Sequence, residues 1–290
     1  MIDYSIVIPT LNAGSIIVRL LDCLNDQSIK PSLIYIVDSS SSDDTVSLVR
    51  DYKNVVVEVI DRSDFDHGKT RDYAFRKTSS KFVVFMTQDA LPVNSTCMES
   101  LLACFKDENV AACSARQIAY DKSSSYEKFV RNYSYPSLSR TWNKEYIKKL
   151  GIGAYLISDV CCAYRRSAYL EVGGFDYPID TNEDMLMASK LLSAGYSLSY
   201  SAKACVYHSH DYSFKEQYKR NYAIGKTIEE YKNRLNSANM KSRGTSLFKD
   251  VSNNLLKEHK YLDMISFTFD CIARFTGNRI GRLSWKLKRK

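Results

Sequence analysis

The sequence lacks the features that would place it across a membrane, outside the cell or among disulfide-bonded proteins. No stretch approaches the roughly 18 consecutive apolar residues that a membrane-spanning helix requires. The N-terminus has no basic segment followed by an apolar one, so we expect no secretory signal. The 8 cysteines show neither CxxC pairs nor zinc-ligand spacing, which is typical of buried thiols in a reducing compartment. The sequence therefore predicts a cytoplasmic protein.

A general excess of basic residues is also missing. The formal net charge is +8, from 41 basic and 33 acidic residues. No acid occurs in residues 271–290, whereas seven cations do; without those seven the chain has 34 basic and 33 acidic residues. They are Arg274, Arg279, Arg282, Lys286, Lys288, Arg289 and Lys290. Because a nucleic-acid-binding protein is expected to spread its cations over a binding face, we expect no nucleic acid among the partners.

The first half of the chain alternates apolar, strand-like runs with segments of helical spacing. Strands are predicted at residues 5–9, 33–37, 55–60, 82–86 and about 110–114, and helices at residues 15–25, 45–52, 70–77 and about 94–105. This βαβα order predicts an α/β fold with a mainly parallel sheet that is flanked by helices and connected by right-handed crossovers.

The second half is less regular and contains neither an internal repeat nor a low-complexity linker. Helices are predicted at residues 126–133, 144–150 and 182–194, and strands at residues 160–165, 196–200 and 204–208. From residue 213 onward the pattern is helical and increasingly basic. The sequence thus predicts one domain over residues 1–212, with halves at 1–115 and 116–212, and a helical C-terminal extension over residues 213–290.

Polar clusters follow each of the first four predicted strands, at residues 9–14, 38–45, 61–71 and 87–90. Helix capping alone would explain one such cluster. In an open α/β sheet, however, ligands bind beyond the carboxyl ends of the strands. Four clusters at one edge therefore predict a ligand crevice rich in carboxylates and hydroxyls.

Several motifs resemble glycosyltransferase family 2, whose members invert the configuration of the transferred sugar. The resemblance covers about residues 4–225 and rests on residues 5–12 and 36–43, then on residues 173–176, 183–184, 194–196 and 206–208 in the same order. Residues 64–71, 87–90 and 208–210 are most similar to the rhamnosyltransferase branch. The resemblance implies a GT-A type fold, in which a nucleotide-sugar-binding half (residues 1–115) merges with an acceptor-binding half (residues 116–212).

The resemblance also implies residues that bind the nucleotide-sugar donor and a divalent cation, Mg²⁺ or Mn²⁺. The donor-binding candidates are Pro9, Thr10, Asn12, Asp38, Ser39, His67, Gly68, Arg71, Gln88 and Asp89. Asp89 matches the metal-binding end of the family's DxD motif, which here is Thr87-Gln88-Asp89 and lacks the first acid. His208 matches a second metal ligand, with His210 as the neighbouring candidate. A cation bridging the diphosphate would stabilise the charge that develops on the leaving group.

Inverting transfer needs a general base that takes the proton of the acceptor hydroxyl, and Asp184 matches the family's base. At a predicted helix start, the helix dipole is expected to favour its ionised form. Glu183 is expected to position the acceptor or hold neighbouring backbone, and Arg220, in a faint QxxR element, to contact the acceptor or a phosphate. Helix capping by Glu183 and Asp184, and a solvated basic face around Arg220, are the structural alternatives.

The basic tail predicts a short amphipathic helix. Ile280, Leu283 and Leu287 recur at helical spacing among the cations, a pattern suited to an anionic bilayer surface. We therefore expect an enzyme held peripherally on the inner face of the cell membrane, acting on a lipid-linked saccharide. A disordered basic end, or a helix packed on the body, would fit the same pattern.

The implied activity is transfer of L-rhamnose from dTDP-β-L-rhamnose onto that lipid-linked acceptor in bacterial surface polysaccharide synthesis. A UDP-hexose donor with the same mechanism is the alternative within the class. A nucleotidyltransferase should carry a cation in the loop after the first strand, and residues 9–14 contain none. A non-catalytic sugar-nucleotide-binding module would not need Asp89, Asp184 and His208 together.

Overall fold

A computed structural model of the chain describes residues 2–235 and 240–288. The strands are β1 Tyr4–Thr10, β2 Leu33–Asp38, β3 Val55–Val59, β4 Phe82–Met86, β5 Leu91–Pro92, β6 Val110–Ile118, β7 Arg140–Trp142, β8 Cys161–Arg165 and β9 Ser197–Tyr207. The helices are α1 Ile17–Asn25, α2 Thr45–Val49, α3 His67–Lys77, α4 Cys97–Leu102, α5 Ser125–Ser134, α6 Ile147–Leu150, α7 Arg166–Glu171, α8 Glu183–Ser193, α9 Phe214–Glu230, α10 Lys232–Leu235, α11 Met240–Lys257 and α12 Tyr261–Lys288.

All of these strands belong to one sheet, in the order β3-β2-β1-β4-β8-β6-β9-β5, with β7 paired to β9. Strands β3, β2, β1 and β4 are mutually parallel, as predicted. The sheet as a whole is mixed, because β8 runs antiparallel to both β4 and β6 while β6 and β9 pair in parallel. Strands β4, β6 and β9 consequently point the same way, and their carboxyl ends share an edge with those of β1 to β3.

Two departures from the predicted elements bear on the site. The two strands expected at residues 196–200 and 204–208 form the single strand β9, whose pairing with β6 shifts register between Ala115 and Arg116. Helix α3 begins at His67 rather than at residue 70, because Asp66 Oδ1 accepts hydrogen bonds from the backbone N–H groups of Gly68 and Lys69. This N-cap satisfies donors that a helix start otherwise leaves unpaired.

Apolar residues fill both faces of the sheet. One face carries stacked and edge-on aromatic rings from Phe75, Phe85, Tyr164, Tyr169 and Phe175. The other packs aliphatic residues of β1, β2 and β4 against α1 and α4. Burying one such large side chain stabilises a fold by about 1.5–3 kcal/mol, so these two layers hold the strand ends at fixed positions.

Helices α9 and α12 lie side by side in the same direction. A Cβ atom on Gly277 would lie 2.5 Å from the Tyr218 carbonyl oxygen, and one on Gly281 would lie 2.1 Å from that of Tyr222. Only glycine allows the two backbones to approach so closely. The part of the tail that the structure describes is therefore a helix docked on the body, whereas Arg289, Lys290 and the Lys288 side chain lie outside the described residues.

Helix α12 presents an exposed apolar face to solvent. Its members recur at spacings of three, four or eight residues, with Phe275 at the margin; they are Leu262, Ile265, Phe269, Ile272, Ile280, Leu283 and Leu287. At 1.5 Å per residue the stripe is about 38 Å long. No helix in the described part of the chain combines the length and the apolarity needed to cross a bilayer.

Candidate functional site

The sheet brings Asp89 and His208 together although they are far apart in sequence. Asp89 lies between β4 and the short strand β5. In β5, Leu91 pairs with Tyr207 at the end of β9, and His208 follows directly. Because β4 and β9 end at the same edge, their following residues meet there, as the strand-end rule predicts.

Asp89, His208 and His210 form a compact group of potential metal ligands. Asp89 Oδ2 lies 3.0 Å from His210 Nε2 and 3.5 Å from His208 Nε2, and the two Nε2 atoms are 3.1 Å apart. One ligand atom from each residue lies within 4.8 Å of the others. A carboxylate oxygen with two imidazole nitrogens is a donor set that suits divalent first-row metals such as Mn²⁺. His210 is thus a third potential ligand beside the predicted ligands Asp89 and His208.

A hydrogen bond fixes the tautomer of His208. Its Nδ1 lies 3.0 Å from Gln117 Oε1, and because an amide oxygen only accepts, Nδ1 carries the proton and Nε2 keeps its lone pair. Burial lowers the pKa of His208 to about 3, so the ring is neutral. Burial raises the pKa of Asp89, but the hydrogen bond from His210 and the further interactions with His208 and Thr87 together outweigh burial and lower that pKa overall.

The loops after β1 and β2 carry several of the donor-binding candidates. Asp38 is fully buried and accepts hydrogen bonds from Thr10 Oγ1 at 2.7 Å and from Ser41 Oγ at 2.6 Å. Asn12 adopts a left-handed backbone with φ of 51°. The Ser39 hydroxyl is buried without a hydrogen-bond partner among the described residues. Asp38 therefore organises the loop, while Ser39 has a polar group still to be satisfied.

Gln88 connects this loop to β4. Its Oε1 accepts from the Leu11 backbone N–H at 2.8 Å, and its Nε2 donates to the Leu11 carbonyl at 3.1 Å. Pro9 lies in register with Val37 at the end of β1. These contacts place Pro9, Thr10, Asn12 and Gln88 at one edge, where their binding of the donor remains a prediction.

The loop before α3 lies across from α8. The Arg71 guanidinium donates to the His67 carbonyl at 3.0 Å and forms an ion pair with Glu183 at 3.3 Å. Gly68 is packed against the segment that precedes α8, where a Cβ atom would lie 2.2 Å from the Asp176 carbonyl oxygen. Close packing therefore accounts for the glycine at position 68. Glu183 balances the positive charge of Arg71, the residue that the sequence analysis predicted to bind the donor.

Asp184 lies in the first turn of α8, after Asn182, whose φ is 67°. Burial and, after it, the charge of Glu183 raise the pKa of Asp184 to about 7. The helix start was expected to favour the ionised form, and burial outweighs that contribution. The backbone N–H of Met185 donates to Asp184 at 2.7 Å and favours the charged form, but burial disfavours that form more strongly.

Asp159 is a neighbour of the base that the sequence did not indicate. Its backbone N–H lies 3.4 Å from Asp184 Oδ2, and its Oδ1 accepts from the Tyr164 hydroxyl at 2.8 Å. Burial and then the charge of Asp184 raise the pKa of Asp159 well above its usual range. Asp159 precedes the antiparallel strand β8, whose amino end reaches this edge, so only the sheet topology reveals it.

Arg220 lies on an exposed face of α9, at the border of the site. It donates to the Tyr212 hydroxyl at 3.0 Å and helps to line a cavity that His210 borders. The sequence missed Gln117 because its contact with His208 spans 91 residues. The spacing of His208 and His210 was a usable signal, since alternate residues of an extended chain face the same side.

Comparison with known proteins agrees with this geometry. Residues 5–173 match the family model described as glycosyl transferase family 2. The O-antigen chain rhamnosyltransferase RfbN of Salmonella typhimurium is 39% identical over 222 residues, which cover 76% of this chain and 71% of RfbN. WbaN of Salmonella anatum, also an O-antigen chain rhamnosyltransferase, is 37% identical over 227 residues, which cover 78% of this chain and 72% of WbaN.

Solved structures share the fold at low sequence identity. The mannosyltransferase PcManGT from Pyrobaculum calidifontis, in complex with GDP-Man and Mn²⁺, superimposes with a TM-score of 0.66 and 16% identity, covering 97% of this chain and 86% of its own. S. aureus TarS 1-349, in complex with UDP-GlcNAc, gives a TM-score of 0.57 at 16% identity, covering 98% of this chain and 92% of its own. The predicted GT-A fold is confirmed. With the family model matching more than half of the chain, the chain belongs to glycosyltransferase family 2 and is a glycosyltransferase.

Proposed function

We propose that this enzyme is an inverting rhamnosyltransferase that moves L-rhamnose from dTDP-β-L-rhamnose onto a lipid-linked saccharide in surface polysaccharide synthesis. The observation that carries the proposal is Asp184, a carboxyl group with a pKa of about 7, at the sheet edge that also carries the Asp89, His208 and His210 group. A proton acceptor and a cation-binding group at one edge are what inverting transfer from a nucleotide-sugar requires.

Asp184 acts as the general base. A catalytic pKa near the working pH makes a base both available and able to accept a proton in the transition state. Asp184 takes the proton of the acceptor hydroxyl while that oxygen attacks the anomeric carbon from the face opposite the departing nucleotide. Glu183 is held by Arg71 at 3.3 Å and acts by orienting the acceptor beside the base.

Asp89, His208 and His210 fit a divalent cation. Their donor atoms lie within 4.8 Å of one another, and His208 presents a neutral Nε2 because Gln117 holds its other nitrogen. A bound Mn²⁺ or Mg²⁺ supplies positive charge next to the leaving diphosphate. The low pKa of Asp89 keeps this ligand ionised at any pH at which the base works.

The choice of rhamnose rests on the relatives. RfbN and WbaN, at 39% and 37% identity, are both named O-antigen chain rhamnosyltransferases. On the nucleotide side, Ser39 offers a buried hydroxyl without a partner among the described residues, which suits a hydrogen bond to the base of the nucleotide. Thr10, Asp38, Asn12 and Gln88 hold the loops after β1 and β2 in place through their hydrogen bonds.

Competition binding tests the donor. Purified enzyme with Mn²⁺ is titrated with dTDP-rhamnose, dTDP-glucose, UDP-glucose and UDP-galactose, and thermal stabilisation is recorded for each because ligand binding raises apparent stability. We expect dTDP-rhamnose to bind most tightly and UDP-glucose to compete weakly. A clear preference for a UDP-hexose would refute rhamnose and favour the alternative donor with the same base.

The acceptor is expected to reside in a membrane, and we infer that α12 binds the enzyme to the surface of that membrane. The exposed apolar face of α12 is accompanied by the exposed cation Arg279, whereas Lys286 lies 3.6 Å from Glu229 of α9. Apolar burial combined with cations is the signature of a helix that lies in an anionic interface, and each basic residue near such a surface contributes about 1 kcal/mol. The enzyme would then work peripherally on the cytoplasmic face of the membrane.

A further inference from the structure

Three arginines from three different helices converge on one cavity of about 180 Å³ beside the candidate site. Arg131 comes from α5, Arg220 from α9 and Arg274 from α12. The remaining lining residues are mostly polar; they are Glu127, Val130, Ser134, Tyr135, His210, Tyr212 and Gln217. Guanidinium groups are the side chains that match the oxygens of phosphates best.

The arginines are held in place but are not neutralised. Arg131 Nε lies 2.6 Å from Glu127 and Arg274 Nε lies 2.5 Å from Asp270. Arg220 contacts the neutral Tyr212 hydroxyl. Three cations therefore face two carboxylates, and one positive charge remains for a ligand.

The cavity shares a wall with the cation-binding group. His210 lines the cavity while its Nε2 lies 3.0 Å from Asp89. Tyr135, also in the lining, accepts from Gln117, the residue that orients His208. An anion in the cavity would thus sit next to the place of transfer, on the side formed by the C-terminal helices.

The size of the cavity limits the ligand. Pockets for drug-sized molecules typically span about 300–1,000 Å³, so this cavity is too small for a whole nucleotide-sugar and suits a phosphate or diphosphate group. Helix α12 contributes Arg274 to the cavity and carries exposed Ile272 and Phe275 close by in sequence. One helix thereby joins the anion cavity to an apolar surface.

We propose that this cavity binds the diphosphate of the lipid-linked acceptor, apart from the donor diphosphate at Asp89. The inference rests on the proposed function, in which the acceptor is anchored in the membrane. The acceptor's apolar chain would leave along α12 into the bilayer, and its saccharide would extend toward Asp184. Arg220 and Arg274 hold the diphosphate, and Arg131 completes the charge.

Equilibrium binding of dodecyl diphosphate, below its micelle-forming concentration and in metal-free buffer, tests the site. We expect Arg220→Gln and Arg274→Gln each to weaken binding about tenfold or more, since each removes hydrogen bonds to a charged group. Arg50→Gln removes the same charge from an exposed position at the end of α2, outside the cavity and α12, and should bind as the wild type does. Arg274→Lys keeps the charge and should recover part of the affinity, which separates loss of binding from loss of fold.

Donor affinity separates this proposal from the proposed function. The Kd for dTDP-rhamnose with Mn²⁺ should be unchanged in Arg220→Gln and Arg274→Gln, and the KM for a lipid-linked acceptor should rise. If both variants bind dodecyl diphosphate like the wild type, or lose donor affinity instead, the acceptor site is refuted. If the two variants lose dodecyl diphosphate binding but the wild-type enzyme prefers another donor, the acceptor site is supported and only the choice of rhamnose is contradicted.

Discussion

His210 Nε2 lies 3.0 Å from Asp89 Oδ2, closer than the predicted partner His208, whose Nε2 lies at 3.5 Å. The contact joins the loop after β4 to the segment after β9, across 121 positions of the chain. Two imidazoles thus converge on one carboxylate oxygen. A single cation held by all three side chains, as we propose, would account for two histidines and an acid lying so close together.

Removing any of these ligands should weaken cation-dependent donor binding. We expect Asp89→Ala, His208→Ala and His210→Ala each to lower the Mn²⁺ affinity by more than the roughly 10–100-fold that loss of a second-shell partner costs, measured by calorimetry with dTDP-rhamnose. The double variant Asp89→Ala/His208→Ala should lose less than the sum, because both residues act on one ion.

A matched control is His259→Asn, an exposed histidine with φ of 57°, which asparagine tolerates. Its Mn²⁺ affinity should equal that of the wild type. Unchanged affinity in His210→Ala would reduce the ligand set to Asp89 and His208, and unchanged affinity in all three variants would place the cation elsewhere.

Asp184→Asn should stabilise the fold at neutral and alkaline pH. The folded-state pKa of about 7 lies above the unfolded value of about 3.9, so ionisation of Asp184 disfavours the folded state. The penalty is absent below about pH 4, grows as the pH rises and is complete above about pH 7. Removing it should raise the free energy of unfolding by a few kcal/mol at pH 8 and by almost nothing at pH 4.

Denaturant titrations at both pH values measure this difference. Asp44→Asn changes an exposed carboxyl at the start of α2 and should show no comparable dependence on pH. Equal free energies of unfolding for Asp184→Asn and the wild type at pH 8 would contradict a raised pKa of Asp184 in the folded state.

The apolar face of α12 should hold the enzyme on anionic membranes. Leu262, Ile265 and Phe269 are exposed by 81%, 55% and 57%, so replacing all three with serine should leave the core intact. We expect this variant to lose co-sedimentation with anionic liposomes, because each buried apolar side chain contributes about 1.5–3 kcal/mol. Binding of the wild type should weaken with salt, since screening acts on its cations.

Leu138→Ser is the control, because Leu138 is 78% exposed but belongs to the segment before β7 and not to α12. Truncation after Phe275 is a poorer test: it would remove Gly277 and Gly281 and expose the surface of α9 that they cover. Equal liposome binding by the triple variant and the wild type would show that this face serves another purpose.

The parts of the fold that follow local rules were predictable. The first four strands are compact apolar runs, and their polar carboxyl-end residues meet at one edge as the parallel arrangement requires. Asp184 and Asp89 could be proposed as site residues from the sequence because their motifs are short and ordered. The residues around them could not be predicted. Asp159, Gln117 and Arg131 reach the site only because β8 is inserted antiparallel between β4 and β6 and because α5 packs beside the site.

Helix α12 shows the same limit. Its tail pattern at Ile280, Leu283 and Leu287 predicted an amphipathic helix, and the structure extends that face back to Leu262. The inner face depends on Gly225, Gly277 and Gly281, which allow close contact with α9. Gly277 and Gly281 stand four residues apart on one face of the helix, but the sequence does not indicate which distant segment packs against that face.

Turnover of Asp184→Asn tests the central claim most directly, with transfer from dTDP-rhamnose to a lipid-linked acceptor measured across pH. The wild-type kcat/KM should rise with pH through about 7, as Asp184 ionises. The variant should bind donor normally, lose this rise and fall by roughly 10²–10⁴-fold, the usual contribution of a general base. Turnover above about a tenth of the wild-type value, with the same rise through pH 7, would show that another group takes the proton.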